Sequence, residues 1–334
     1  MLSIKERKQK WLDFYDMTSG VNRINMIHCG EGMPERPLLW RENMTARTDW
    51  AYERYLQLIK HSEIIDDNTI PYLSLVTGTE LFAEAFGCKV YKPLNNNPSA
   101  IPMIDNAAGV SKIKIPKLHE TKLTVLFEMA DKLSERAGKE ALFGLFDLQS
   151  PMDISALIWD KNDFFAAMYY EPEAVRELAA KVTEFMYGFL DAWFGRYGNK
   201  FIAHYPDYYM EGGITLSEDE IGSVSPEMYK LFFEKELDEF SDRYGGIGVH
   251  CCANSEHQFD NLSKIKNLKV INLCLDHDKT LKSLKAFQDV CGQYPGYPIT
   301  DVSETENPEK LHLVRTFYAA TIEEAKVIAE KNPI

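Results

Sequence analysis

From about residue 22 onward the chain alternates short β-rich runs with stretches bearing an apolar helical stripe, and this alternation restricts the fold more than any other feature. The β-rich runs are residues 23–29, 70–76, 141–148, 200–205, 247–252, 268–275, 297–302 and 312–317. Between most of them lie helical stretches long enough for a crossover: residues 50–60, 118–137, 174–196, 226–244, 256–266 and 279–290, with 322–330 closing the chain. Strands joined through helices are expected to run parallel. Eight such units predict a closed (β/α)8 TIM barrel, with an open doubly wound sheet as the alternative. No low-complexity linker or composition break divides the 334 residues, so one domain over 1–334 is expected, with 1–21 as an N-terminal helical extension. A dinucleotide fold is disfavoured because the glycine cluster Gly245, Gly246 and Gly248 enters a strand instead of linking strand to helix.

The helical stripes are specific enough to name. Val175, Leu178, Ala179, Val182, Phe185, Met186, Phe189 and Trp193 share one face, and Tyr229, Phe232, Phe233, Leu237 and Phe240 another. Ser225 and Pro226 open the second, the serine free to cap and the proline placed where its missing N–H costs nothing. Residues 89–116 hold four prolines and the run Asn95, Asn96, Asn97, and read as a turn-rich excursion without a helix.

Acidic residues outnumber basic ones by 51 to 37, a formal charge of -14 that repels nucleic acid and anionic membrane surfaces. The N-terminus is charged and amphipathic, and no apolar run approaches the length of a membrane span, so a cytoplasmic protein is expected. Six irregularly spaced cysteines make no disulfide framework and are expected as thiols.

The run Ile247-Gly248-Val249-His250-Cys251-Cys252 carries the sharpest chemical signal. Alternation sends Gly248, His250 and Cys252 to one face, and the apolar Ile247 and Val249 to the helix layer. His250 and Cys252 then stand together at the carboxyl-terminal rim, where barrel active sites form, and an imidazole and a thiolate are donors that zinc prefers. The competing view is that of a packed cysteine and a hydrogen-bonded core histidine. On the next strand Asn272, Cys274 and Asp276 share the polar face, offering a second sulfur from Cys274 and an oxygen from Asp276, against a buried thiol and a helix cap. Either His28 or Cys29 faces inward at the end of the first strand, before a loop with Glu31, Glu35, Arg36 and Arg41. Asp147 and Gln149 end the third strand as substrate ligands or helix caps. Asp207 and Asp219 follow the fourth as groups that orient substrate or a ligand histidine, or as solvated loop acids. Glu80 begins a helix past the second strand, where it reaches the rim or compensates a helix dipole. His61, His119, His257 and His312 read as surface or packing residues.

These residues resemble the uroporphyrinogen decarboxylase superfamily, in its branch near the cobalamin-dependent zinc thiol methyltransferases. The resemblance rests on residues 214–219, Ser225-Pro226-Glu227-Met228-Tyr229 and Val249-His250-Cys251-Cys252-Ala253-Asn254, which are similar to the family's Asp, Ser-Pro-Glu and His-x-Cys-Gly-Asn succession. Residues 67–71, Gly78-Thr79-Glu80, residues 85–88 and residues 147–153 support it. The resemblance implies a barrel with its site at the carboxyl-terminal face and, for the methyltransferase branch, zinc held by a histidine and two cysteines. It also implies a corrinoid methyl donor, carried on a partner protein, and a small-molecule thiol acceptor. His250 and Cys252 match the first two ligands. The family's third, a Gly-Cys pair after the last strand, has no counterpart in residues 313–321, and Ala253 stands for the usual glycine. Cys274, Cys29 and Glu80 are the candidate replacements, and Asp219 and Asp207 the expected catalytic groups. Asp67, Asp147, Gln149, Asn254 and Asp276 are the expected substrate contacts. Two alternatives follow from the same resemblance: porphyrinogen decarboxylation, with Asp67 nearest the pyrrole-binding position but without the family's N-terminal arginine motif, and a noncatalytic corrinoid- or tetrapyrrole-binding barrel.

Overall fold

The computed structural model describes residues 1–38, 43–94, 96–299 and 307–334. Its strands are β1 (Arg23–Cys29), β2 (Leu73–Ser74), β3 (Lys89–Tyr91), β4 (Ser99–Ile101), β5 (Phe143–Gly144), β6 (Lys200–Ile202), β7 (Tyr209–Glu211), β8 (Ile214–Ser217), β9 (Ile247–Cys251), β10 (Leu268–Leu273), β11 (Gly292–Gln293) and β12 (Leu313–Ala319). The α-helices are α1 (Ile4–Tyr15), α2 (Met44–Ser62), α3 (Leu81–Ala85), α4 (Thr124–Ala137), α5 (Pro151–Ile158), α6 (Lys161–Tyr170), α7 (Pro172–Tyr197), α8 (Pro226–Phe232), α9 (Glu234–Tyr244), α10 (Phe259–Leu262), α11 (His277–Ala286) and α12 (Ile322–Lys331).

The parallel ladder β1-β12-β11-β10-β9-β8 forms one sheet and β2-β5-β6 a second, which β7 extends as an antiparallel return of β6. The two meet at both edges. Beyond β5, Gln149 bridges Ser217, with the Ser217 amide on the Leu148 carbonyl and the Ser150 amide on that of Ser217, both at 2.8 Å. At the other edge the Asn68 amide, just before β2, donates to Asn25 of β1 at 2.8 Å. The result is the α/β TIM barrel, its helices outside. Their stripes are buried as expected, every named residue of α7 among them, with Phe82, Phe146, Phe189 and Trp193 meeting edge to face.

Three expectations need correction. The seventh run, 297–302, forms no strand in its described part; the ladder position belongs to β11, before Pro295 and Pro298, which have no N–H to give a strand. Residues 300–302 lie outside the described residues. The stretch 226–244 is two helices, because the backbone turns at Phe233, whose buried ring stacks on Tyr229. Residues 89–116 contain the β3–β4 hairpin and a short 3-10 helix at Ala107–Lys112. Besides β3, β4 and β11, two strands were not foreseen: β7, the short return of β6, and β8, hidden in the run Ile214–Ser217.

Tyr208 fills the barrel interior, its hydroxyl donating to Thr215 Oγ1 at 3.0 Å. A Cβ on residue 248 would stand 2.0 Å from that hydroxyl, which is why β9 carries Gly248 there. At the amino-terminal end α1 lies across the starts of several strands, with Trp11 Nε1 on the Asn68 carbonyl and Phe14 against Gly292. Arg7 of α1 is wholly buried and pairs with Asp67 at 2.9 Å. Among the described residues no helix is long and apolar enough to cross a membrane.

Candidate metal centre

His250 and Cys252 do project together. β9 is buried along its whole length, and its register against β10 sets His250 beside Asn272. The His250 Nε2 lies 2.9 Å from Cys252 Sγ, and Cys274, just past β10, brings a third donor; all three ligand atoms lie within 4.8 Å of one another. Cys251 points the other way and is buried, as alternation requires. A tetrahedral zinc ion with bonds of about 2.0–2.3 Å would separate its donors by about 3.5–3.8 Å, so this set fits the ion after small side-chain adjustment.

Backbone geometry brings Cys274 in. Its amide donates to the Cys251 carbonyl at 3.0 Å, and residue 296 packs so closely that a Cβ there would meet the sulfur at 2.5 Å. Glycine alone fits that position. Behind the histidine, Asn272 Nδ2 donates to the Tyr294 carbonyl, which leaves Asn272 Oδ1 to accept from His250 Nδ1–H. This fixes the tautomer with the Nε2 lone pair toward the sulfurs, the arrangement in which outer partners orient metal-binding histidines. Tyr205 covers the imidazole edge to face, ring centroids 4.7 Å apart.

Without a cation the three donors hold protons among themselves. The hydrogen bond with Cys274 raises the Cys252 thiol, and the same bond lowers Cys274, so one proton is shared between two sulfurs. Burial, the largest single influence, disfavours the charged imidazole, but Cys252, Asn272 and the charge of Asp219 together outweigh it and raise His250. A divalent ion would displace these protons.

His250 and Cys252 sit on the wall of a cavity of about 280 Å³ at the barrel mouth, shared with Asp147, Gln149, His204, Ser217 and Asp219. Asp219 Oδ1 accepts the Cys252 amide at 2.5 Å. Asp219 is itself held from behind, since Asp153 in the first turn of α5 accepts the Asp219 amide at 2.7 Å and the Glu220 amide at 3.0 Å. His204 Nε2 lies 2.9 Å from Ser217 Oγ and 3.8 Å from Asp147 Oδ1; burial, with His250 nearby, lowers it to about 3, so it is a neutral imidazole. Burial and the charge of Asp219 push the Asp147 carboxyl up to about 7. The segment His204-Tyr205-Pro206 also borders a second cavity, of about 300 Å³, lined by His28, Arg54, Tyr72, Asp207 and Tyr318. A cavity of about 470 Å³ lies at the other end of the barrel beside α1, away from all of these groups.

The other expected site residues are distributed as follows. Cys29 is not a ligand: β1 turns it outward into a cluster with Ala325 and Ala329 of α12, while His28 faces the mouth, 3.8 Å from Asp207 and stacked on Tyr318. Glu80 is buried at the start of α3 and outside the three-donor group. Asp67 is engaged by Arg7, Ile27 and Thr69, and so ties α1 to the barrel instead of binding a pyrrole. Asp276 caps α11 by accepting the Lys279 amide, with its carboxylate exposed. Asn254 is exposed and caps the turn to Glu256. Asp207 borders the second cavity, away from the donors, whereas Asp219, Asp147 and Gln149 reach the donor cavity. Arg41 lies outside the described residues. Sequence reasoning passed over Asn272, although it shares the strand face of Cys274. It also missed Ser217, because β8 was not recognised, and left His204 without a role.

A model of the uroporphyrinogen decarboxylase (URO-D) family matches residues 56–294. Among solved structures, a methyltransferase from Methanosarcina mazei superposes with a TM-score of 0.68 at 12% identity, covering 99% of this chain and 98% of that one, which establishes likeness of fold. A search of curated proteins finds no match.

Proposed function

On the premise that the chain belongs to the uroporphyrinogen decarboxylase family, we propose that it is a methyltransferase that delivers a methyl group from a corrinoid donor, presented by a partner protein, to a thiol activated on a zinc ion. The observation that carries this reading is the convergence of His250, Cys252 and Cys274, with Asn272 orienting the imidazole. Cys274 stands in for the sulfur missing from the last strand, reaching the same centre from β10.

Zinc on these three donors would keep a fourth position for substrate and lower the pKa of a thiol bound there, supplying a nucleophile near neutral pH. The chain's own groups do the rest. Asn272 holds the imidazole, Asp219 fixes the Cys252 backbone, and Tyr205 shields the ring from water. In the transfer the thiol loses its proton, its sulfur forms the new S–CH3 bond, and the donor departs with the electron pair of the broken bond.

Metal analysis of the protein purified under reducing conditions, alone and as His250→Ala, Cys252→Ser and Cys274→Ser, tests the centre. Each substitution is expected to deplete zinc, and zinc content unchanged in all three removes the reading. Thiol-dependent loss of the methyl group from methylcobalamin tests the reaction.

A further inference from the structure

The cavity beside the three donors has a polarity that the transfer chemistry alone does not require. Three polar atoms among its walls are buried and have no hydrogen-bond partner among the described residues: Asp147 Oδ1, Gln149 Oε1 and His204 Nδ1. Gln149 is 8% exposed and the His204 side chain 5%, while the Asp147 side chain is 25% exposed. The Asp147 carboxylate near His204 Nε2 favours the tautomer with the proton on Nε2, so that Nδ1 presents a bare lone pair. The Asp147 carboxyl, raised to about 7, is likewise acceptor only once ionised, the form that a neighbouring ammonium favours. Asp219 adds a second carboxylate to the same wall, and Arg36, the one cation among the described lining residues, is exposed. Buried acceptors left unpaired pay their full desolvation penalty, and a donor that enters the cavity relieves it.

From this we infer that the acceptor thiol carries an ammonium group, which docks between Asp147 and Gln149 while its sulfur reaches the His250–Cys252–Cys274 centre. A primary ammonium has three donors and no acceptor, the complement of these walls. A sulfonate or carboxylate in the same place would meet two carboxylates and no buried cation. The inference rests on the thiol-activating reading and narrows its substrate to aminothiols.

Protein loaded with Co(II) in place of zinc reports binding of an added thiol by the gain in sulfur-to-metal charge-transfer absorption over that of Cys252 and Cys274. Titration with 2-aminoethanethiol, 2-mercaptoethanol and 2-mercaptoethanesulfonate is expected to give at least about tenfold tighter binding of the amine than of the alcohol, with the sulfonate weakest. In Asp147→Asn the ratio of amine to alcohol affinity falls by about tenfold. Equal affinities, or a preference for the sulfonate, in the unmodified protein overturns the inference while leaving thiol activation standing. If none of the three thiols adds to that absorption, thiol activation itself fails, and the aminothiol preference with it.

Discussion

Among the described residues, two of the buried polar centres of this barrel are built on opposite terms. At the amino-terminal end every arm of Arg7 is used: Nε donates to Leu2, Nη1 to Asp67 and Thr69, and Nη2 to Ser62 and Ile65. Asp67 is equally complete, taking the Ile27 and Thr69 amides on its two oxygens. At the carboxyl-terminal mouth Gln149 and His204 are nearly as enclosed and Asp147 partly so, but they line a cavity and carry acceptor atoms without partners. A satisfied buried network holds a fold, whereas an unsatisfied one costs stability and is found where a ligand can complete it.

Breaking the closed centre has the largest expected effect. Asp67→Ala leaves Arg7 buried without its counter-charge and is expected to lower unfolding free energy by about 3–5 kcal/mol in urea titrations, with zinc content unaffected in the protein that remains folded. Next comes the outer support of the donors: Asn272→Leu is expected to weaken metal affinity about 10–100-fold, about 1.4–2.7 kcal/mol, in competition with a chelating indicator. At the open centre the sign reverses. The Asp147 carboxyl is raised from 3.8 to about 7, so between those values the folded state keeps a proton that the unfolded chain has released, and stability declines as pH rises through that window. Asp147→Asn is therefore expected to raise stability at pH 8 by about 1–2 kcal/mol and to flatten the gain on acidification from pH 8 to pH 5, both read from thermal melts. The smallest effect belongs to Asp276→Ala, which removes a helix cap at an expected cost of about 0.5–1 kcal/mol and leaves metal binding intact.

Much of this was legible in the sequence where local period and fold agree. Strand alternation was enough to pair His250 with Cys252 and to put Cys274 on the inner face of its own strand, because a period of two admits little else once the rim is located. The α7 stripe was equally plain. What could not be read depended on contacts between distant segments. Asp67 looks like a rim acid until α1, some sixty residues earlier in the chain, brings Arg7 against it. Asp276 shares a face with Cys274, yet the chain has already turned into α11 there, and the carboxylate is taken up in capping. β8 escaped notice because four residues are too few to show a period, and with it went Ser217 and the wall that holds His204.

The position of α1 has one more consequence. With Trp11 and Phe14 packed beneath the strands and Tyr208 filling the interior, the amino-terminal end of the barrel is closed, and the candidate metal centre opens at the opposite end. Whatever binds in the mouth cavities therefore comes and goes on the carboxyl-terminal side.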